Sequence, residues 1–92
     1  MGTPLKVLMV EDSEDDAMLV VNELKRAGFD PQPQRVETAD ALRAALQTNG
    51  WDMVISDYSL PQFSGMDALR MVRELRQDTP VIIVSGAIGE TL

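Results

Sequence analysis

The spacing of apolar positions switches repeatedly between the two-residue period of a strand and the 3.6-residue period of a helix. Leu5 to Val10 (LKVLMV) is a short, mostly apolar run of the length and composition of a strand buried on both faces. Glu11, Asp12, Glu14, Asp15 and Asp16 follow, then Ala17, Val20, Val21, Leu24 and Ala27 at helical spacing, with Lys25 and Arg26 near the end and Gly28 beyond. Acid in the first turn, base in the last and a glycine terminator predict a helix from about Ser13 to Ala27. Pro31 and Pro33 predict a turn, and Gln34 to Glu37 a weak, polar strand at a sheet edge. Thr38 is placed to cap a second helix whose apolar face is Ala41, Leu42, Ala45 and Leu46, ended by Asn49-Gly50.

Met53 to Ser56 is a third strand that delivers Asp57 at its C-terminal end. After a loop from Tyr58 to Gly65, Ala68, Leu69, Val72 and Leu75 predict one face of a third helix and Arg70, Arg73 and Arg76 the other, with Thr79-Pro80 as its breaker. Val81 to Val84 (VIIV) is the most apolar run and a fourth buried strand, ending at Ser85-Gly86. Strand and helix thus alternate strictly, and right-handed crossovers turn that order into one parallel α/β sheet with helices on both faces. The chain holds no internal repeat or low-complexity stretch, so residues 1–92 are expected to form a single domain.

Composition narrows the function classes. With 45% apolar and 25% charged residues the chain has the balance of a globular protein, and at 92 residues its core is small. A net charge of −7 repels phosphate backbones and anionic lipid, so direct nucleic-acid or membrane binding is not expected. The absence of cysteine and histidine removes disulfides, thiolate metal sites and imidazole chemistry, leaving carboxylates, hydroxyls and cations. No apolar run reaches the ~20 residues of a membrane span, and the start lacks a signal-peptide core and a myristoylation motif, which predicts a cytoplasmic protein.

In open parallel α/β sheets, sites form at the carboxyl ends of the strands. The residues there are Glu11, Asp12, Asp57 and Ser85. Three carboxylates gathered at one edge repel each other unless a cation neutralises them, and an all-oxygen set suits Mg²⁺. A carboxylate beside Mg²⁺ can attack a phosphoryl group and become an acyl phosphate; Asp57 is the central candidate, with the Ser85 hydroxyl as a donor to a phosphoryl oxygen. The plainer reading is that acids after a strand are helix caps and dipole partners: Asp12 or Ser13 caps the first helix, with Asp16 completing a capping box. That reading is preferred for Glu14, Asp15 and Asp16. It fits Asp57 poorly, because Pro61 follows and the next helix starts only after Ser64-Gly65.

A strand ending Val10-Glu11-Asp12, a second ending Ser56-Asp57 followed by Leu60-Pro61 and Gly65, and the run Pro80 to Gly86 together resemble response-regulator receiver domains, over essentially the whole chain. The resemblance implies a flavodoxin-like doubly wound sheet of strand order 2-1-3-4. It also implies a phosphorylatable module of two-component signalling rather than an enzyme, with a histidine kinase or phosphotransfer protein as donor. Residue by residue it implies Asp57 as phosphoacceptor, Asp12 as a direct Mg²⁺ ligand, Glu11 acting on the metal largely through water, the Ser59 backbone carbonyl as a further ligand, and Ser85 as the switch hydroxyl.

The family pattern continues past Leu92, through a fifth strand followed by a lysine that no residue here matches, so weakened phosphorylation is expected of these 92 residues alone. An uncovered Val81 to Val84 edge is expected to promote self-association, as a dimer through this edge or by swapping of elements. Two other functions compete. A haloacid-dehalogenase-type phosphatase would use Asp57 as nucleophile, but its usual second aspartate is here Ser59; a binding-only degenerate receiver is disfavoured because every acidic position is filled.

Overall fold

The computed structural model describes residues 2–48, 50–58, 60, 63–76 and 78–84. Its elements are β1 (Thr3–Val10), α1 (Glu14–Arg26), β2 (Phe29–Val36), α2 (Ala39–Leu46), β3 (Met53–Asp57), α3 (Gly65–Leu75) and β4 (Val81–Val84). The four strands are all parallel, as the alternating pattern predicts, and in the order β2-β1-β3-β4 that the family resemblance implies.

Alternation along β1 explains the two layers. Val7 and Met9 face one side and pack with Ile55 and the α1 residues Ala17 and Val21. Leu8 and Val10 face the other, against Val36, Val54, Leu42 and Leu46 of α2 and Ala68 and Val72 of α3. A strand buried on both faces has no polar side to show, which is why LKVLMV reads as nearly continuous apolar sequence. β1 begins two residues before the run predicted from apolarity, because Thr3 and Pro4 pair with β2 while remaining exposed.

β2 corrects the expectation of a turn at the two prolines. It runs from Phe29, not Gln34, and includes Pro31 and Pro33, paired opposite Leu5 and Val7. The carbonyls of Gly28 and Val36 accept from Thr3 and Glu11 of the β1 segment, so even-numbered residues of β2 direct their polar groups inward. Pro31 and Pro33, at odd positions, have their missing N–H on the open edge, where no ladder bond is lost.

α1 is capped by Ser13, whose Oγ accepts from the Asp16 N–H, and Gly28 ends it at φ +100°. α3 departs from the predicted face: Met71 is buried with Ala68 and Val72, whereas Leu75 is exposed. Arg76 is not a solvated residue like Arg70. It reaches back to α2, its Nε donating to the Leu46 carbonyl at 2.8 Å and a terminal nitrogen to the carbonyls of Gln47 and Thr48 at 3.2 and 3.3 Å. Those carbonyls belong to a helix end that has no intrahelical donors for them. Arg76→Met should therefore lower stability by about 1–3 kcal/mol, read from urea unfolding by circular dichroism; Arg76→Lys should retain part of the loss.

Candidate functional site

β1 and β3 are neighbours, with Val10 level with Ser56. The next residue on each, Glu11 and Asp57, therefore emerges at the same end of the sheet, and Asp12 follows one step on. One carboxylate oxygen from each of Glu11, Asp12 and Asp57 lies within 4.8 Å of the other two. Glu11 and Asp57 are buried, at 6% and 8% exposure, while Asp12 is open to solvent.

Two full charges at that spacing repel by about 3 kcal/mol at an effective dielectric constant near 20. The consequence appears at Glu11, whose pKa is pushed up to about 7. Burial is the main cause; the hydrogen bond with the Asp12 carboxyl and the charges of Asp57 and Asp16 add to it, and the Ser13 N–H acts in the opposite direction. A divalent cation would relieve this repulsion, and three clustered oxygens with one open side suit a hard, partly hydrated ion such as Mg²⁺. The donor set fits that ion.

The backbone around the cluster is held on several sides. The Glu11 N–H donates to the Val36 carbonyl at 3.0 Å, and its carbonyl accepts from Arg35 Nη1 at 3.1 Å. Its Oε1 accepts from the Ser13 N–H at 3.1 Å. This corrects the expected capping box of α1: Glu11, rather than Asp16, accepts from the cap residue's N–H, so the acidic site and the start of α1 share a fixed turn. On the β3 side the Ser56 hydroxyl donates to the Asp57 carbonyl at 3.0 Å, and the Tyr58 N–H donates to the Val84 carbonyl at 2.7 Å. The capping box does occur at α3, between Ser64 and Asp67. There the Gly65 N–H donates to the Tyr58 carbonyl at 2.8 Å, drawing the helix start over the end of β3.

Glu11, Asp12 and Asp57 thus come together as expected from sequence. Ser59 and Ser85 lie outside the described residues. Sequence reasoning missed Arg35, a lone cation in a strand read as weak. Its place just before Val36, level with Val10, is the detail that would have put it beside Glu11. Among the described residues no helix is long and apolar enough to cross a membrane.

Fold and site define a doubly wound parallel α/β domain with a carboxylate cluster at the ends of its central strands. The family model for the response regulator receiver domain matches residues 7–91, and the chain belongs to that family. Over 86 residues it is 31% identical to the cell cycle transcriptional regulator CtrA of Caulobacter vibrioides, covering 90% of this chain and 35% of that protein. The chain therefore spans about a third of that relative's length. Among solved structures it resembles the MaeR response regulator bound to beryllium trifluoride, with a TM-score of 0.75, 27% identity, and 90% of this chain and 68% of that one covered. It shares its fold with the receiver domain of the sensor histidine kinase PA1611 of Pseudomonas aeruginosa PAO1, described with a magnesium ion in its active-site cleft; the TM-score is 0.72 at 21% identity, covering 97% of this chain and 72% of that one. Receiver domains are phosphoacceptor modules of two-component signalling, and bind Mg²⁺ at an acidic site.

Proposed function

We propose that Asp57 accepts a phosphoryl group from a histidine kinase or phosphotransfer protein, assisted by Mg²⁺ held by Glu11, Asp12, Asp57 and the Ser59 carbonyl. The observation that carries this reading is the convergence of the Asp57 carboxylate with those of Glu11 and Asp12 at the end of a central strand. Glu11 accepts from the Ser13 N–H, and Asp57 ends β3 at the edge where such sheets bind ligands. An Asp57 carboxylate oxygen forms the new bond to phosphorus as the bond to the donor nitrogen breaks, and the departing imidazole takes up a proton. When bound, Mg²⁺ offsets negative charge on the carboxylates and the transferred oxygens. Ser85 serves as the switch hydroxyl that responds to the new acyl phosphate.

The net charge of −7 argues against nucleic-acid contact by these residues, and a cytoplasmic location agrees with the proposed kinase or phosphotransfer donor. Neither phosphatase chemistry nor a binding-only role is favoured, since the acidic site positions are filled and no second aspartate stands two residues after Asp57.

Incubation with acetyl phosphate and Mg²⁺ should give one phosphoryl adduct by intact mass on the parent and none on Asp57→Asn. An unmodified parent, or an equally modified variant, would overturn the assignment. β4 pairs only with β3 among the described residues, and Ile82 is 47% exposed. This supports concentration-dependent self-association of the 92-residue chain. Light scattering should show its mass rising with concentration; a monomer throughout counts against that edge as the contact.

A further inference from the structure

We infer that Arg35 is a positioning residue for the acidic site: by bonding the Glu11 backbone from the end of β2 it sets where the Glu11 and Asp12 carboxylates present themselves to a cation. The inference rests on the metal-site reading above and adds a residue outside the carboxylate cluster to it.

The argument begins with the turn after β1. Asp12 is exposed, so its location depends on its neighbours in the chain. On one side Glu11 is held through both backbone polar groups, and both partners come from β2: the Val36 carbonyl and the Arg35 guanidinium. On the other side Ser13 is held by Glu11 Oε1 and by its own cap on Asp16. Of these ties, the Arg35 bond is the one made by a side chain from outside the turn itself. Arg35 is itself fixed, its Nη1 lying 3.1 Å from a Glu37 carboxylate oxygen and its Nη2 4.0 Å from one of Glu14, and its side chain is 28% exposed. A guanidinium suits this place because its planar fork offers several donors at once, here to a carbonyl and to flanking acids. Clustered carboxylates tend to splay apart, and a turn braced from β2 resists that movement.

Positioning and simple charge predict opposite signs. If Arg35 acted only as a nearby cation, removing it would make the site more negative and tighten Mg²⁺ binding. If it positions the turn, removing it weakens binding. Groups that orient metal ligands typically contribute 10–100-fold in affinity; Arg35 acts through the backbone, so a loss of roughly 3–10-fold is expected.

The experiment titrates Mg²⁺ alone into the parent, Arg35→Met, Arg35→Lys and Glu37→Gln, following backbone amide resonances, with hydrogen exchange at the Ser13 amide recorded before metal is added. Arg35→Met keeps the apolar stem and should weaken Mg²⁺ binding by that factor while speeding Ser13 exchange; Arg35→Lys should recover part of both. Glu37→Gln removes one anchor of the guanidinium without touching its bond to Glu11. Losing a negative charge weakens Mg²⁺ binding by itself, so for this variant the metal-free Ser13 exchange is the deciding readout. It is expected to speed up less than in Arg35→Met, and it keeps the test decisive if Arg35→Met folds poorly. Unchanged or tighter binding in Arg35→Met, or Ser13 exchange unaltered in both variants, would overturn the inference while the metal site stands. A parent that binds no Mg²⁺ would overturn the metal-site reading itself and this inference with it.

Discussion

Gly65→Ala should destabilise the domain by about 2–3 kcal/mol and slow the acquisition of a phosphoryl adduct from acetyl phosphate. A Cβ at this position would stand 2.7 Å from the Asp57 carbonyl oxygen, 3.0 Å from the Tyr58 Cα and 3.3 Å from the Ile83 Cγ2. The first two are backbone atoms, so no rotamer change relieves the contact. The approach is enforced by the Gly65 N–H bond to the Tyr58 carbonyl and by the capping box that fixes the first turn of α3. Relief must come from moving the helix start away from β3 or from tilting the Asp57 peptide, and either shifts the carboxylate proposed to accept the phosphoryl group. Gly28→Ala is the matched control. Gly28 has φ +100° and nothing within 4 Å of an added Cβ, so its penalty is conformational, about 1 kcal/mol, and far from the site. Urea unfolding should place Gly65→Ala below Gly28→Ala, and only the former should react more slowly. Stability of Gly65→Ala within about 0.5 kcal/mol of the parent would show that the backbone yields here at little cost.

What was legible in the sequence, and what was not, follows from which interactions repeat. Apolar runs such as Val7-Leu8-Met9-Val10 and the Leu42, Ala45, Leu46 face declare themselves because burial requires them at a fixed period, and with them came the parallel sheet and the meeting of Glu11, Asp12 and Asp57 at its edge, while the strand order rested on the family resemblance. β2 was misjudged at its start because proline is read as a strand breaker, and only the edge location makes two prolines at alternate positions harmless. Arg35 and Arg76 were invisible for a different reason. Each makes its main bonds to backbone carbonyls distant in sequence, at Glu11 and at Leu46, and a carbonyl carries no residue identity from which a partner can be inferred. Leu75 was assigned to the buried face by periodicity alone, yet Met71 fills that place and Leu75 stays exposed, a matter of how α3 is rotated on the sheet rather than of its pattern.

In metal-free solution the stability of the parent should fall as pH rises from about 5 to about 8, and that part of the slope should vanish in Glu11→Gln. The folded state raises the Glu11 pKa from its ordinary 4.5 to about 7, so between those values the folded protein holds a proton that the unfolded chain has released. The favourable contribution is therefore complete below about pH 4.5 and is lost as pH climbs through about 7. The full linkage at 1.36 kcal/mol per pH unit is discounted because Asp12 opens the cluster to solvent, leaving about 2 kcal/mol. Mg²⁺ should reverse the trend. Its carboxylate ligands must be ionised, so binding displaces the Glu11 proton, and affinity should increase with pH up to and just beyond pH 7. At saturating Mg²⁺ the parent should be at least as stable at pH 8 as at pH 6, whereas in EDTA it should be less so. Urea midpoints across this range, with and without Mg²⁺, provide the comparison; parallel curves for parent and Glu11→Gln in EDTA would mean that the burial of Glu11 does not hold its proton. Agreement would tie the repulsion within the cluster to its chemistry, because the proton on Glu11 and the cation beside Asp57 would be alternative answers to the same excess of negative charge.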